Sequence, residues 1–391
     1  MVKSFQFTRI PKIYFKNGMI SDLPAIIKLH GNDLALVTGK SSFLRSVYAE
    51  RLFHDFKKNS IRFHHITIEE EPSPDIIDQS VRRLNNEEIK LVIGIGGGSA
   101  IDAGKAISAM IYKTGSVTEF LEGVGGKEHP GTKLPYIAIP TTSGTGSEAT
   151  KNAVISKIGE NGFKRSLRHD NFVPDIALVD PELTLNCPKE ITAASGMDCF
   201  TQLTEAYLSD KSNEYTDALS LEGIKAIKSS LIRSYTNSED IEARSGMSFA
   251  ALTSGICLAN AGLGVVHGFA SSIGGRYPIS HGHICGTLMA SANEINVRAL
   301  RTKSMNPSAL KKYALLGKLF LDEKGKTDSY YIDGFIQYLH KLTSELHLPG
   351  FKKYGFEEKE IELICTNTES KNNPVKLSLE DLKEIISSRV L

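Results

Sequence analysis

The stretch GMDCFTQLTEAYLS, residues 196–209, contains side chains that can coordinate a metal ion. Asp198 and Gln202 are four residues apart, and this spacing places both on one face of a helix. An aspartate followed by a histidine at this spacing would resemble half of a metal site, but the second position here is an amide. A glutamine oxygen binds a divalent cation more weakly than an imidazole nitrogen does. Three interpretations are open: Gln202 coordinates through its oxygen, it turns away and leaves the other ligands, or the site has been lost.

Two histidines, His267 and His281, stand fourteen residues apart in GLGVVHGFASSIGGRYPISHGH, residues 262–283. The GGRYP segment between them interrupts any continuous helix. Neutral imidazole is a common ligand for zinc and iron, and a carboxylate suits either metal. One aspartate and two histidines make a three-ligand site with open positions for water or substrate. A single histidine is more often structural, so these residues alone do not establish that the three side chains meet.

Two loops of small residues follow predicted strands in the first half of the chain. The segment KLVIGIGGGS (90–99) runs from an apolar strand into three glycines, and PTTSGTGSEAT (140–150) follows the apolar run LPYIAIP (134–140). Glycine lets the backbone approach a ligand closely, and a helix N-terminus offers free N–H groups to a pyrophosphate. Either loop alone could be an ordinary turn, and the first does not match GxGxxG. Two such loops at the ends of neighbouring parallel strands favour a ligand-binding edge.

The order of apolar patterns predicts two domains in the 391 residues. Strands are predicted at 33–39, 61–68 and 134–140 and in KLVIGIGGGS (90–99), where the strand runs into a glycine turn. Helices lie between them, including one near 75–87, and the pattern changes after DIALVDPEL (175–183). This alternation indicates a parallel sheet covered by helices. After the LTLNCPKE turn the apolar residues recur at helical spacing, as in ALSLEGIKAIKSSLI (218–232). We therefore predict an α/β domain over residues 1–186 and an all-helical domain over residues 187–391.

Composition excludes several classes of protein. Hydrophobic residues at 41% and charged residues at 23% are globular values, and a net charge of +1 gives no argument for nucleic acid or an anionic membrane. No membrane span and no signal peptide are expected from the sequence. The five cysteines are scattered without a CxxC pair, which argues against a disulfide scaffold or a thiolate zinc site. A cytoplasmic setting is the resulting expectation.

Several motifs together resemble the iron-containing alcohol dehydrogenase family. They are GGGSAIDAGKAIS (96–108), PTTSGTGSEAT (140–150), GMDCFTQLTEAYLS (196–209) and the NAGLGVVHG…SHG segment (260–282). They occur in family order and spacing, and VPDIALVDPELT (173–184) and NNPVKLSLEDLKEII (372–386) extend the resemblance over essentially the full chain. The resemblance implies a Rossmann-like N-terminal domain with a parallel sheet and an all-α C-terminal domain, the dehydroquinate synthase-like architecture. It further implies NAD(P)(H), one divalent metal (iron or zinc), hydride transfer between nicotinamide and a small alcohol or carbonyl compound, and a homodimer or larger homo-oligomer.

The resemblance assigns residues by position. It implies that the metal ligands are Asp198, Gln202, His267 and His281, with Asp198, His267 and His281 as the catalytic residues. It implies cofactor contacts from Gly97, Gly98, Ser99, Asp102, Thr141, Thr142, Thr145 and Lys164. Two positions depart from the family: Gln202 stands where histidine is usual, and Ser271 replaces a histidine near the substrate. Glycerol dehydrogenases, which are similar, use one aspartate and two histidines, so three intact ligand positions remain compatible with catalysis. Because weaker ligation favours the tighter-binding ion, we expect zinc at least as often as iron.

The resemblance also bears on the nicotinamide cofactor. Family members with an aspartate at the position of Gly39 tend to prefer NAD, because the carboxylate binds the ribose hydroxyls and repels a 2′-phosphate. Gly39 removes this repulsion, and Lys40, Ser41, Ser42 and Arg45 could hold a phosphate, although they could also simply begin a helix. The sequence therefore favours NADP(H) over NAD(H).

Three residues are candidates for the substrate side of the site. Arg276, between the two histidines, could bind an anionic substrate such as a sugar acid or a short hydroxy acid, although a solvent-facing or interdomain arginine is the simpler interpretation. Ser271 leaves a smaller, neutral side chain, so a proton could leave through water, the cofactor ribose or His283. Two alternatives to the dehydrogenase remain: a metal- and NAD-dependent lyase or cyclase of the dehydroquinate synthase type, and a non-catalytic nucleotide-binding relative with a degenerate metal site.

Overall fold

The computed structural model describes residues 4–160, 162–303 and 306–390. The ends of the predicted domain ranges, residues 1–3 and Leu391, lie outside these segments. The strands in the described part are β1 (Lys12–Phe15), β2 (Asp33–Gly39), β3 (Arg62–Ile68), β4 (Leu91–Gly96), β5 (Tyr136–Pro140), β6 (Asn152–Lys157), β7 (Phe163–Arg168) and β8 (Ile176–Val179). Six of them form one parallel sheet in the order β1-β8-β5-β4-β2-β3, and β6 and β7 form an antiparallel hairpin.

Helices cover the sheet and then make up the remainder of the chain. Those that accompany the sheet are α1 (Leu23–Ile27), α2 (Val47–Lys58), α3 (Pro74–Leu84) and α4 (Gly98–Met110). Those that follow it are α5 (Lys189–Leu208), α6 (Glu214–Thr236), α7 (Ile241–Ala261), α8 (Val265–Gly274), α9 (His281–Lys303), α10 (Pro307–Phe320), α11 (Asp328–Glu345), α12 (Ile361–Thr366) and α13 (Leu379–Ser387). The predicted fold class, a parallel-sheet α/β domain followed by a helical domain, is confirmed.

The central strands form a sheet because their side chains are apolar on both faces. Every residue of β4, β5 and β8 is buried, as expected for parallel strands covered by helices on both sides. The strands predicted at 33–39, 61–68, 134–140 and within 90–99 are present, β8 lies within the DIALVDPEL segment (175–183), and the helix predicted near 75–87 runs from Pro74 to Leu84. The sequence did not predict β1 or the β6–β7 hairpin. β1 has only four residues, and its place is set by pairing with β8, more than 150 residues later in the chain.

The helical part is organised around α5, which is buried on nearly all sides and packs against α6, α7 and α9. The last strand ends at Val179 and α5 begins at Lys189, so the predicted boundary at 186/187 falls between them and stays a prediction. No single helix in the described segments is long and apolar enough to cross a membrane. The pair α7 and α8 meets that criterion only together, and the two helices are bent by 99° at their break.

Candidate metal and cofactor site

Three helices bring a carboxylate and two imidazoles together. Asp198 lies in the middle of α5, His267 lies in the first turn of α8, and His281 is the first residue of α9. The Oδ1 atom of Asp198 is 3.5 Å from Nε2 of His267 and 3.7 Å from Nε2 of His281. The structure thus assembles the three residues that the sequence proposed as ligands but could not connect.

Several atoms in this cluster are buried without a hydrogen-bond partner. They include Oδ1 of Asp198, Nε2 of His267 and Nδ1 of His281. Asp198 and His267 are only 1% and 2% exposed, and unpaired polar atoms at such depth are costly unless something binds them. A divalent cation would satisfy one carboxylate and two imidazoles, a donor set that suits zinc or ferrous iron. The residues present therefore fit the metal that the resemblance implies.

The two imidazoles differ in protonation. Burial lowers the pKa of His281 to about 3, against the opposing charge of Asp198, so its ring is neutral at physiological pH. His267 donates a 2.7 Å hydrogen bond from Nδ1 to Oε2 of Glu205. Burial opposes the charged form of its ring, but the interactions with Cys285, Glu205 and Asp198 raise the pKa of His267 well above the ordinary value, so a cation would displace the proton on Nε2. Glu205 also accepts hydrogen bonds from the backbone N–H groups of Gly264 (2.9 Å) and Val266 (2.7 Å). This carboxylate therefore fixes both the histidine and the start of α8.

Sequence reasoning missed Glu205, although a signal was present. It follows Asp198 by seven residues on α5, so Asp198, Gln202 and Glu205 share one face of that helix at positions i, i+4 and i+7. Charged side chains on a helix that is buried on nearly all sides have to be paired or bind a ligand. The sequence could therefore have predicted that Glu205 has a partner or a ligand, but not that the partner is His267, 62 residues away.

The two glycine- and hydroxyl-rich loops meet at one edge of the sheet. β4 and β5 are parallel neighbours, with Gly96 opposite Pro140, and the N–H of Thr141 donates to the carbonyl oxygen of Gly96 at 2.9 Å. The helix α4 begins at Gly98 and has no side-chain cap on its N-terminus. A Cβ at Gly98 would lie 2.8 Å from Cγ2 of Thr145, so only glycine allows the loops to approach this closely. Free N–H groups at a helix N-terminus beside such a loop suit a pyrophosphate.

The other predicted cofactor residues lie on α4, on the hydroxyl-rich loop and on β7. Ser99 is in the first turn of α4, Thr142 lies 3.4 Å from the position of a Cβ on Gly97, and Lys164 on β7 pairs with Glu71 at 3.1 Å. Asp102 on α4 accepts hydrogen bonds from the hydroxyl of Ser147 and from the N–H of Val154 (3.0 Å). The carboxylate of Asp102 therefore links α4 to the hydroxyl-rich loop and to the β6–β7 hairpin. The cofactor roles of these residues stay predictions.

The chain matches two family descriptions along nearly its whole length. Residues 11–181 match the family model for iron-containing alcohol dehydrogenase, and residues 192–390 match the C-terminal model of the Fe-containing alcohol dehydrogenase family. The chain belongs to the iron-containing alcohol dehydrogenase family. The NAD-dependent methanol dehydrogenase of Bacillus methanolicus is 31% identical, with 81% of this chain and 82% of that protein covered. The NADPH-dependent butanol dehydrogenase of Clostridium saccharobutylicum is 29% identical, with 97% and 96% covered.

Solved structures of the family share this fold. The alcohol dehydrogenase from Oenococcus oeni superimposes with a TM-score of 0.87 at 28% identity, covering 99% of this chain and 100% of that one. The 1,3-propanediol oxidoreductase has the same TM-score at 24% identity, covering 99% and 100%. The family match leaves the lyase or cyclase alternative without support.

Gln202 is held by its amide nitrogen. The Nε2 group donates to the backbone oxygen of Thr145 at 3.0 Å and to Oγ of Ser254 at 2.9 Å. Because Thr145 belongs to the hydroxyl-rich loop, this side chain connects the metal-binding helix to the cofactor edge. In the described structure its hydrogen bonds all involve the nitrogen, so only the amide oxygen could reach a metal. Coordination by Gln202 stays a prediction.

The structure adds a residue that the sequence interpretation had set aside. Cys285, on α9, joins Asp198, His267 and His281 in a group whose potential ligand atoms all lie within 4.8 Å of one another. The absence of a CxxC pair argues against a thiolate zinc site, so the sequence did not single out this residue. The available signal was the spacing, because Cys285 follows His281 by four residues and shares its helix face.

The residues expected to distinguish NADP from NAD, at the 2′ position of the ribose, lie at the end of β2. Gly39 ends this strand beside the glycine turn, and a Cβ added to it would have no heavy atom within 4 Å. Lys40 pairs with Glu69 at 2.6 Å on the surface, while Ser41 and Ser42 follow before α2. A phosphate at this edge would compete with Glu69 for the Lys40 ammonium group.

The predicted substrate residues occupy different surroundings. Ser271 donates to the backbone oxygen of His267 at 3.0 Å, one turn after that residue. His283 faces the carbonyl oxygen of Pro349 (3.4 Å), and burial lowers its pKa. The guanidinium of Arg276 forms a 2.5 Å ion pair with Glu360, so a neighbouring carboxylate already neutralises it. This pairing weakens the prediction that Arg276 binds an anionic substrate.

Proposed function

We propose that the chain is a metal-dependent NAD(P)(H) alcohol dehydrogenase or aldehyde reductase. The observation that supports this most directly is the cluster of Asp198, His267 and His281. Oδ1 of Asp198 lies 3.5 and 3.7 Å from Nε2 of the two histidines, and each of the three side chains has a buried polar atom without a hydrogen-bond partner. This cluster lies in a chain whose glycine turn and hydroxyl-rich loop meet at one sheet edge. A chain that kept only nucleotide binding would have no reason to maintain three costly unpaired groups.

The chain contributes positioning and charge to the proposed reaction. When bound, the divalent cation would supply Lewis acidity at the alcohol or carbonyl oxygen, and the nicotinamide would exchange a hydride with the carbon. Asp198, His267 and His281 would hold the cation, and Glu205 keeps His267 in the tautomer that presents Nε2. The hydrogen bond from Gln202 to the backbone of Thr145 ties the metal helix to the cofactor loop. This connection would maintain the distance between the two reacting carbons.

The test is alcohol oxidation by protein purified without a histidine tag or chelator and then loaded with zinc or ferrous iron. We expect alcohol-dependent reduction of NAD or NADP, loss of that activity after chelation, and its return when metal is restored. A first panel is short primary alcohols, since relatives are named for methanol and butanol. A full panel that yields no turnover, with metal at one equivalent per chain, would contradict the proposal. Turnover of a single substrate without net cofactor reduction would instead favour a lyase or cyclase.

We propose NADP(H) as the preferred cofactor. The open space at Gly39 and the neighbouring Lys40, Ser41 and Ser42 support this choice, because no carboxylate occupies the position that would repel a 2′-phosphate. One relative is named as NAD-dependent and another as NADPH-dependent, so membership of the family does not decide between them. The homodimeric state and the cytoplasmic setting remain predictions from the resemblance and the composition.

We further propose that the substrate is polar or anionic, with Lys371 as its cationic contact in place of Arg276. The Nζ of Lys371 lies 3.0 Å from the backbone oxygen of His267, at the metal cluster. Its positive charge and that of Lys164 both act to lower the pKa of His281, as expected for cations close to that ring. Lys164 already pairs with Glu71, so Lys371 is the cation that we assign to a negatively charged substrate group at this site.

Replacing Lys371 with methionine is expected to lower kcat/KM for an acidic substrate about 10- to 100-fold relative to the neutral alcohol of equal length. A charge-assisted hydrogen bond contributes about 1.5–3 kcal/mol, and methionine keeps the length of the side chain without the charge. Steady-state kinetics with an ω-hydroxy acid and the matching primary alcohol measure this ratio. Lys352→Met, at an exposed position, is the control. An unchanged ratio in the Lys371 variant would remove this residue from substrate binding.

A further inference from the structure

We infer that Cys285 is a protein ligand of the metal, through its thiolate, and compensates for the amide at position 202. This inference rests on the metal site of the proposed function. Cys285 is fully buried one turn after His281 on α9, and its sulfur belongs to the group of potential ligand atoms that lie within 4.8 Å of one another. Among the described residues it is the one cysteine found in such a group.

Independent support comes from the atoms around the thiol. Oδ1 of Asp198 and Nε2 of His267 are buried and have no hydrogen-bond partner, and both belong to the same group as the sulfur. A thiol that served only as packing would require no unpaired carboxylate and imidazole beside it. Four potential donor groups whose ligand atoms lie within 4.8 Å of one another are close enough to share one metal ion.

The packing of α9 on α5 explains how the sulfur reaches this position. A Cβ at Gly282 would lie 2.5 Å from the backbone oxygen of Ala194 and 3.3 Å from Cβ of Asp198. A Cβ at Gly286 would lie 2.7 Å from Cβ of Met197. These two glycines are four residues apart, and each directly follows one member of the ligand pair. Because they let the helix backbones approach, His281 and Cys285 come within reach of the carboxylate on α5.

The hydrogen bonds of Gln202 are consistent with a metal that takes another ligand in its place. Its amide nitrogen is committed to Thr145 and Ser254, and an amide oxygen is a weak donor for a divalent cation. Cys285 and the carboxylate of Asp198 would together neutralise the charge of the cation. The thiol proton would pass to solvent as the sulfur–metal bond forms, with no change in oxidation state. A sulfur ligand also favours zinc over ferrous iron at this site.

X-ray absorption at the zinc edge of the zinc-loaded full-length protein tests the ligand directly. We expect one sulfur neighbour at about 2.3 Å together with nitrogen and oxygen neighbours at about 2.0–2.2 Å. In Cys285→Ser the sulfur neighbour is expected to disappear, and zinc affinity, measured by chelator competition, is expected to fall about 10-fold or more. Cys257→Ser, a change at another buried cysteine outside the group, should keep both the sulfur neighbour and the affinity.

A zinc shell of nitrogen and oxygen alone in the unmodified protein would overturn the inference, whether or not the variants fold. The measurement requires no turnover, so it is separable from the proposed function. If zinc has a sulfur neighbour but the protein oxidises no alcohol, the proposed dehydrogenase activity is contradicted and the assignment of Cys285 as a ligand stands. If the protein oxidises alcohol but zinc has no sulfur neighbour, the dehydrogenase activity stands and the assignment of Cys285 is rejected.

Discussion

Replacing Asp198 with asparagine is expected to remove most of the bound metal and to lower kcat on the order of 10³-fold or more. Asp198 provides the carboxylate that both histidines face, at 3.5 and 3.7 Å, and it is the acidic member of the group. Asparagine keeps the size of the side chain but removes the negative charge that offsets the cation. Loss of the metal's Lewis acidity costs several kcal/mol of transition-state stabilisation, and each 1.4 kcal/mol is about tenfold in rate.

The change at Asp198 is measured by metal analysis and by alcohol-dependent reduction of cofactor in the same preparation. Asp210→Asn, at an exposed position just beyond α5, provides the matched control and should retain metal and activity. Circular dichroism and thermal unfolding distinguish a lost ligand from a lost fold. A folded Asp198 variant with one metal per chain and undiminished turnover would mean that the three-helix cluster is not the catalytic metal site.

Replacing Gly39 with aspartate is expected to lower kcat/KM for NADP on the order of 100-fold while kcat/KM for NAD is maintained or rises. The substitution fits the structure, because a Cβ at Gly39 meets no heavy atom within 4 Å and its backbone is not in the left-handed region. A carboxylate about 4 Å from a phosphate costs about 4 kcal/mol at an effective dielectric constant near 20, and solvent at the open edge reduces this. The same carboxylate can accept hydrogen bonds from the ribose hydroxyls of NAD.

The change at Gly39 is measured by steady-state kinetics with both cofactors at one alcohol concentration. Gly39→Asn is the matched control, because it has the size of aspartate without the charge and should leave most NADP activity. If the aspartate variant kept the cofactor ratio of the unmodified protein, the ribose would not lie at the end of β2. If the unmodified protein already preferred NAD, the NADP(H) proposal would be wrong regardless of the variant.

The sequence by itself determined the parts of the structure that depend on local pattern. Fully apolar runs between glycine turns predict parallel strands, because such strands are buried on both faces, and β4 and β5 are found where these runs lie. Two loops of small residues at the ends of neighbouring parallel strands favour a ligand-binding edge, and the hydrogen bond from Thr141 to Gly96 joins them there. The motif order was enough to indicate the family.

Only the tertiary structure decided which side chains meet across long separations in the chain. The approach of His267 and His281 to Asp198 depends on the packing of three helices, and the bond from His267 to Glu205 spans 62 residues. The pairing of Arg276 with Glu360 likewise joins distant segments. Cys285 reaches the cluster because glycines bring α9 against α5. Periodicity shows which face of a helix a residue occupies, whereas the partner of that face is set by how whole helices pack.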